Sequence, residues 1–206
     1  MFRTSLAELT ADPAALTGRV LVDFDHTLFG GNSTELFIAH SRPRFLVACA
    51  DVLIRRCAPW RLTGVRKWFR LRDYVFCRIL FWLLPANLAR WQYLGRSLFD
   101  QGVNHELETL LATTPRDKLA ILTFGMAPIV EPMLRGSRWD GVLLLATPHR
   151  ADAAHFAKGK LEMARHAFGD ESLSSCMLIT DSEDDLDLLA EVGYPVLINP
   201  VHSLDL

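Results

Sequence analysis

The sequence predicts an α/β protein: a doubly wound parallel sheet with an α-helical insertion after its first strand. Three observations carry this. Short apolar runs alternate with helical patterns along most of the chain, the signature of strand–helix–strand units. Three of those runs lead into Asp23, Thr123 and Asp181, and in an open parallel sheet the carboxyl ends of the strands line one crevice. Between residues 41 and 100 the alternation stops, and the chain reads as helices alone, rich in arginine and aromatic side chains.

Taken in order, Val20-Leu21-Val22 predicts a first strand at 18–24. It runs into Asp23-Phe24-Asp25-His26-Thr27, whose two carboxylates point the same way wherever the chain stays extended. Leu28-Phe29-Gly30-Gly31 then supplies a turn. Buried paired acids are costly unless a cation or a shared proton balances them. Alone, Asp-x-Asp is a weak motif. A helix follows, capped by Asn32 or Ser33, with Glu35 in its first turn. Pro59 and Pro85 divide the insertion into helices at 43–57, 62–84 and 86–100, and a helix at 104–113 returns the chain to the sheet. Strands near 118–123, 142–146, 175–180 and 195–198 alternate with helices near 127–135, 159–168 and 184–191. Lys160, in Lys158-Gly159-Lys160, opens the helical pattern Leu161, Met163, Ala164, Ala167 and Phe168. The expected organisation is a core of residues 1–40 and 101–206 with a helical cap of residues 41–100.

The ordered set Asp23-x-Asp25-x-Thr27, Thr123, Lys160 and Asp181-x-x-x-Asp185 resembles the four motifs of the haloacid dehalogenase superfamily of phosphohydrolases. Any one motif is unspecific; four in order, each beside an apolar run, are specific. The resemblance spans residues 18–200, and the insertion between the first two motifs resembles that of the phosphoserine-phosphatase-like branch. Response-regulator receiver domains also use acids, a threonine and a lysine. Their acids all precede the other two, so the order here excludes them.

The resemblance implies a Mg²⁺-dependent phosphomonoesterase working through an aspartyl-phosphate. Asp23 is then the nucleophile, and Asp25 the general acid to the leaving alkoxide and base to the hydrolytic water, with its pKa above that of Asp23. Mg²⁺ falls to Asp23, the carbonyl of Asp25, and Asp181, with Asp185 an outer acid beside the metal or bracing Lys160. Thr123 and the amides that follow, Gly125 included, hold phosphoryl oxygens, and Lys160 neutralises charge on Asp23 and the phosphate. Plainer readings stand beside these: Thr123 as a strand-end residue, Lys160 as a solvated helix residue with Lys158 in its place, Asp184 and Asp187 as exposed first-turn acids.

Three positions depart from the family pattern. His26 stands where a small residue, commonly Gly, is usual; it reads as a loop residue or as a substrate contact. Thr180 replaces the common Gly before Asp181. Asn32 lies where amino-acid phosphatases of this branch keep an acid for the substrate amine, with Glu35 as a substitute slightly further on, which argues against phosphoserine itself.

At 206 residues, half of them apolar, the chain can bury a sizeable core. It shows neither internal repeats nor low-complexity tracts. Cys49, Cys57, Cys77 and Cys176 lack zinc spacing, and Met-Phe-Arg-Thr lacks a secretory apolar stretch, so reduced thiols in a cytoplasmic protein are expected. The net charge of −2 hides a division: Ser41 to Arg96 holds twelve bases against only Asp51 and Asp73. Its longest apolar run, Ile79 to Leu84, is far short of the roughly 20 residues that span a bilayer. A basic, aromatic cap suits a lid whose arginines recognise a small-molecule or lipid phosphate monoester, or peripheral contact with the inner face of a membrane through residues 41–96. Similar caps occur in haloacid dehalogenase domains attached to polyprenyl-transferase membrane proteins. A nucleic-acid role is not expected, since no binding motif accompanies the charge. Two other functions remain open on the same fold: a phosphotransferase passing the group to an alcohol, and a non-catalytic module docking on a membrane or protein through the cap.

Overall fold

The computed structural model describes residues 18–57, 67–151, 153–169 and 173–198, with backbone alone for 55, 57, 67–70, 153–154 and 156–158. The expected helical residues 62–66, and the basic and aromatic residues Trp60, Arg61 and Arg66, lie outside the described residues.

Five parallel strands form one sheet: β1 (Val20–Val22), β2 (Leu119–Met126), β3 (Leu143–Thr147), β4 (Met177–Thr180) and β5 (Tyr194–Leu197), in the order β3-β2-β1-β4-β5. Val20 stands opposite Leu119 on one side and Met177 on the other, so the three central strands start level. The chain builds outward from β1 through β2 and β3, then crosses to β4 and β5. That places the topological switch point between β1 and β4, where ligands of open α/β sheets bind.

The two-residue alternation of each strand feeds two apolar layers. Val20, Val22, Leu119, Ile121, Met177 and Ile179 pack on one face, with the helices that follow β1 and β2. Leu21, Ala120, Leu122 and Leu178 pack on the other, against Ala164, Leu188 and Leu189. Both faces are covered, which is why these strands are apolar throughout rather than alternating with polar residues.

Between β1 and β2 run α1 (Ser33–His40), α2 (Arg44–Cys57), α3 (Lys67–Leu83), α4 (Ala86–Gly102) and α5 (His105–Leu110). Asn32 caps α1, its Oδ1 accepting the Glu35 N–H, and Asn104 caps α5 through the Leu107 N–H. Helix α6 (Ala127–Leu134) packs against α4, where Trp91 Nε1 donates to Ile129 O at 2.8 Å. A side chain at Gly95 would meet Trp91 and Met133 at 3.1–3.2 Å, so the glycine sets this close approach. Helices α7 (Ala153–Phe168) and α8 (Leu186–Glu191) complete the layers.

Element bounds differ from the sequence expectation in ways that have local causes. β2 runs three residues beyond 123, because its register to β3 shifts between Leu122 and Met126 and pairing resumes at Met126–Thr147. Helix α7 starts six residues before the predicted 159. Its two parts meet at Gly159, whose φ of 80° and ψ of 176° break the helix just ahead of Lys160. The helix expected at 184–191 opens with a 3₁₀ turn at Glu183–Asp185, and that expected at 104–113 stops at Leu110.

Candidate active site

Asp23 follows β1 directly and keeps the sheet geometry one residue further, its N–H donating to Ile179 O at 2.9 Å. The next residue turns away from the crevice: Phe24 is fully buried and stacks on Phe29 and Phe99 at 5.9 and 6.0 Å between ring centres. Asp25 therefore returns to the side of Asp23, and both line one cavity of about 280 Å³. The loop is pinned by the chain returning from α4: Gly30 N–H donates to Gly102 O at 2.7 Å, Asn104 N–H to Leu28 O at 2.8 Å, and Asn104 Nδ2 to Thr27 O at 3.1 Å.

The same cavity is lined by His26, Thr123, Gly125, Lys160 and Asp181, so the structure brings together seven of the eight residues singled out from sequence. Asp185 is the eighth. It is buried behind Lys160 and braces it, the second of the two positions open to it. Lys160 Nζ lies 2.7 Å from Asp23 Oδ2 and 2.7 Å from Asp185 Oδ2. Lys160 is thus buried and doubly paired rather than solvated; the side chain of Lys158 lies outside the described ones. Asp184 and Asp187 are exposed at the start of α8, as expected of first-turn acids.

Burial is the main force on the charges here. It pushes Asp23 up to about 6 against the pull of Lys160, with Asp185 adding to the rise. Burial also raises Asp25, which is held chiefly by the Ser33 N–H at 2.6 Å and feels Lys160 only weakly. Burial alone would depress the Lys160 ammonium, but Asp23 and Asp185 outweigh it and hold its pKa above the ordinary lysine value. Two carboxylates two residues apart thus sit in different surroundings, one on a cation and one on an amide.

Thr123 Oγ1 accepts the Gly125 N–H at 2.9 Å, which orients the hydroxyl where β2 shifts register against β3. That amide is therefore taken up in holding Thr123. Gly125 has a steric role as well, since a Cβ there would meet Val130 Cγ2 at 2.9 Å and Thr123 Oγ1 at 3.2 Å. His26 has φ of 60°, the left-handed region that explains why a small residue suits this position. It lines the cavity.

Two residues have parts that sequence reasoning did not assign. Thr180 Oγ1 lies 3.2 Å from Asp23 Oδ2 and 2.8 Å from Asp185 Oδ2, so its one proton serves either carboxylate. Thr27 Oγ1 donates to Asp181 Oδ1 at 2.9 Å and accepts the Asp181 N–H at 3.0 Å, tying the ends of β1 and β4 together. The signal for both was present, as threonines one or two residues from a motif acid.

A hard cation fits this donor set. Among the described residues, no three carboxylate, imidazole or thiol groups converge closely enough to hold a metal through side chains alone. Mg²⁺ does not need that: it is usually bound by one or two carboxylates and keeps several waters. Asp23, Asp181 and the Asp25 carbonyl would be its protein oxygens. Burial is the chief cause of the raised pKa values of Asp23 and Asp25, and a cation bound here would offset that penalty on their charged forms.

Helix α3 closes the cavity from above. Asp73 and Tyr74 line it, and Tyr74 Oη accepts the Ala151 N–H at 2.7 Å while lying 3.2 Å from His149 O. Arg78 Nη1 donates to the same His149 carbonyl, and Phe81 stacks on the His149 ring. A second cavity of about 590 Å³ opens between α1, α2 and α3 and shares Thr34 and Asp73 with the first. Ile38, Val47, Ile54 and Phe76 give it apolar walls, and Arg44 and Arg72 stand at them.

The sequence matches the family model described as haloacid dehalogenase-like hydrolase over residues 20–190. The fold is similar to the crystal structure of a protein of unknown function from Bordetella pertussis Tohama I. The TM-score is 0.61 and the identity 18%, over 89% of this chain and 92% of that one. No curated protein matches the chain.

Proposed function

The chain belongs to the haloacid dehalogenase-like hydrolase family, and from that premise we propose that it hydrolyses a phosphate monoester through an aspartyl-phosphate on Asp23. One observation carries the reading: Asp23, paired to Lys160 at 2.7 Å, shares a cavity with Asp25, which is held by an amide instead. A nucleophile must be ionised and a general acid protonated, and these surroundings favour that division.

In the first half-reaction the Asp23 carboxylate attacks phosphorus and the bond from phosphorus to the ester oxygen breaks. Asp25 gives its proton to the departing alkoxide. In the second, ionised Asp25 takes a proton from water as that water attacks phosphorus, and the Asp23 carboxylate and inorganic phosphate are released. Lys160 balances charge on Asp23, and the Thr123 hydroxyl is placed to donate to a phosphoryl oxygen. Mg²⁺, held by Asp23, Asp181 and the Asp25 carbonyl, would supply charge neutralisation at the phosphoryl group.

The insertion acts as the cap, as in the phosphoserine-phosphatase-like branch. Asn32 is occupied as a helix cap, and Glu35 is exposed and lines only the second cavity, so recognition of a substrate amine does not fall to them. The shared Thr34 and Asp73 instead lead the leaving alcohol toward the apolar chamber, which favours esters of bulky, partly apolar alcohols.

The test is release of phosphate from an aryl phosphate and a panel of phosphate esters, by wild type and Asp23→Asn, with Mg²⁺ and with EDTA. Turnover that requires both Mg²⁺ and Asp23 is expected. Turnover that survives in Asp23→Asn removes the covalent mechanism, and none across the panel removes the phosphatase.

A further inference from the structure

Asn87, buried near the start of α4, makes two hydrogen bonds to one residue of another turn. Its Oδ1 accepts the Arg42 N–H at 2.8 Å and its Nδ2 donates to Arg42 O at 2.9 Å. The turn from α1 to α2 is thereby clamped beside the turn from α3 to α4, and the two form a single end of the insertion. Four large apolar side chains near the clamp are exposed, while Leu84 and Leu88 beside them pack on the core. Trp82 is 80% exposed and Phe45 65%, with Leu46 and Leu83 beside them. Arg42, Arg44 and Arg90 are exposed on the same two turns. No acid occurs from Ser41 to Ala50 or from Tyr74 to Phe99.

The apolar surface continues along α2, which is apolar on two faces. Val47, Ala50 and Ile54 turn inward to the core, while Val52 and Leu53 join Phe45 on the outside. An exposed apolar patch rimmed by polar residues marks an interaction site, and this rim is basic save for Asp51, which lines the second cavity. Arg44 borders the cavity between α1, α2 and α3, and Trp82 borders another of about 530 Å³ with Tyr74, Ile79 and Arg150, whereas Phe45, Leu46 and Leu83 line neither. Aromatic rings with arginines beside them suit the headgroup layer of a bilayer, where rings sit among the acyl–headgroup boundary and guanidinium groups meet phosphate.

We propose that this clamped end of the insertion, with Phe45 and Trp82 as anchors and Arg42, Arg44 and Arg90 as its charges, docks the protein on an anionic phospholipid surface. No helix among the described residues is long and apolar enough to cross a membrane, so the contact is peripheral. Leu83 stands nine residues beyond Tyr74 on α3, about 13 Å along the helix. Docking at that end leaves the catalytic cavity open, so the two activities separate.

The experiment is sedimentation of the whole chain with vesicles of phosphatidylcholine, alone or with about 30% phosphatidylglycerol. Two double variants are compared with wild type, Phe45→Ser with Trp82→Ser and Arg42→Gln with Arg90→Gln. Hydrolysis of a soluble aryl phosphate and circular dichroism report their folding. Wild type should partition onto anionic vesicles at least tenfold better than onto neutral ones, and lose that preference as salt rises from about 0.1 to about 0.5 M. Removing two arginines should weaken binding about 25-fold, from roughly fivefold per cation at an anionic surface. The serine pair should weaken binding at least tenfold. Absence of vesicle binding, or binding untouched in both variants, overturns the proposal. Patch-dependent self-association without vesicle binding also overturns it and assigns the surface to another copy of the chain.

Discussion

Removing the charge of Asp23 should stabilise the protein while abolishing hydrolysis. Burial raises the Asp23 pKa from 3.8 to about 6, so between those values the folded chain holds a proton that the unfolded chain has lost. Stability therefore falls as pH rises through that window and is flat above it. The full shift corresponds to about 3 kcal/mol at neutral pH, by about 1.4 kcal/mol per pKa unit. Asp23→Asn escapes that cost, which is already net of the attraction to Lys160, but turns one carboxylate oxygen into an NH₂, so that either the Phe24 N–H or Lys160 and Thr180 lose their acceptor, at about 1–2 kcal/mol, leaving a net gain of about 1–2 kcal/mol. For a chain of this size that is a rise in Tm of about 2–8 °C. The assay is thermal unfolding in EDTA from pH 5 to 7.5. Wild type should become more stable toward pH 5. The Asn variant should show a shallower slope, the residue coming from Asp25, which burial also raises. With Mg²⁺ the wild type should gain stability and the variant much less. An Asn variant less stable than wild type at pH 7 in EDTA, or one with the wild-type pH slope, would refute the account.

Three further outcomes follow from the same cluster. Lys160→Met leaves Asp23 and Asp185 buried without their cation, and should cost about 3–5 kcal/mol in urea unfolding along with all turnover. Because its pKa is raised, the lysine's contribution should persist through neutral pH and disappear only in strongly alkaline solution. Thr180→Val keeps the shape but removes the hydroxyl between Asp23 and Asp185; it should cost about 1–2 kcal/mol and lower kcat, and Thr180→Ser should restore both. Gly159→Ala forces a side chain onto φ of 80°, at a cost of about 1 kcal/mol or more, and moves the start of the helix that presents Lys160, so kcat should fall with stability in the same variant.

Much of this was legible in the chain because the informative signals were local. The strands announce themselves as apolar runs, and Asp23, Thr123 and Asp181 each stand where a run ends, so the crevice could be drawn from topology alone. Lys160 was placed by its position at a helix start, although the glycine before it, not a cap, makes that start. What was not legible depends on distant partners. Thr180 looked like a neutral replacement for glycine, since its value lies in two carboxylates 157 and 5 residues away. The choice between Asn32 and Ser33 as the cap of α1 was settled only by which side chain reached the Glu35 amide. Nothing in the local sequence marked Tyr74 as the tie between α3 and the segment after β3.

The clamp on the loop after β1 has a mechanical consequence. Asp23 belongs to the sheet, through its bond to Ile179. Asp25 instead hangs by its carboxylate from the first turn of α1, and its loop is sewn to the end of α4 and, through Thr27, to Asp181 after β4. The two acids are therefore held by different elements, one by a strand and one by a helix start. A shift of α1 relative to the sheet would displace the proton donor and leave the nucleophile in place, so the alignment of the pair depends on how firmly that first helical turn is held.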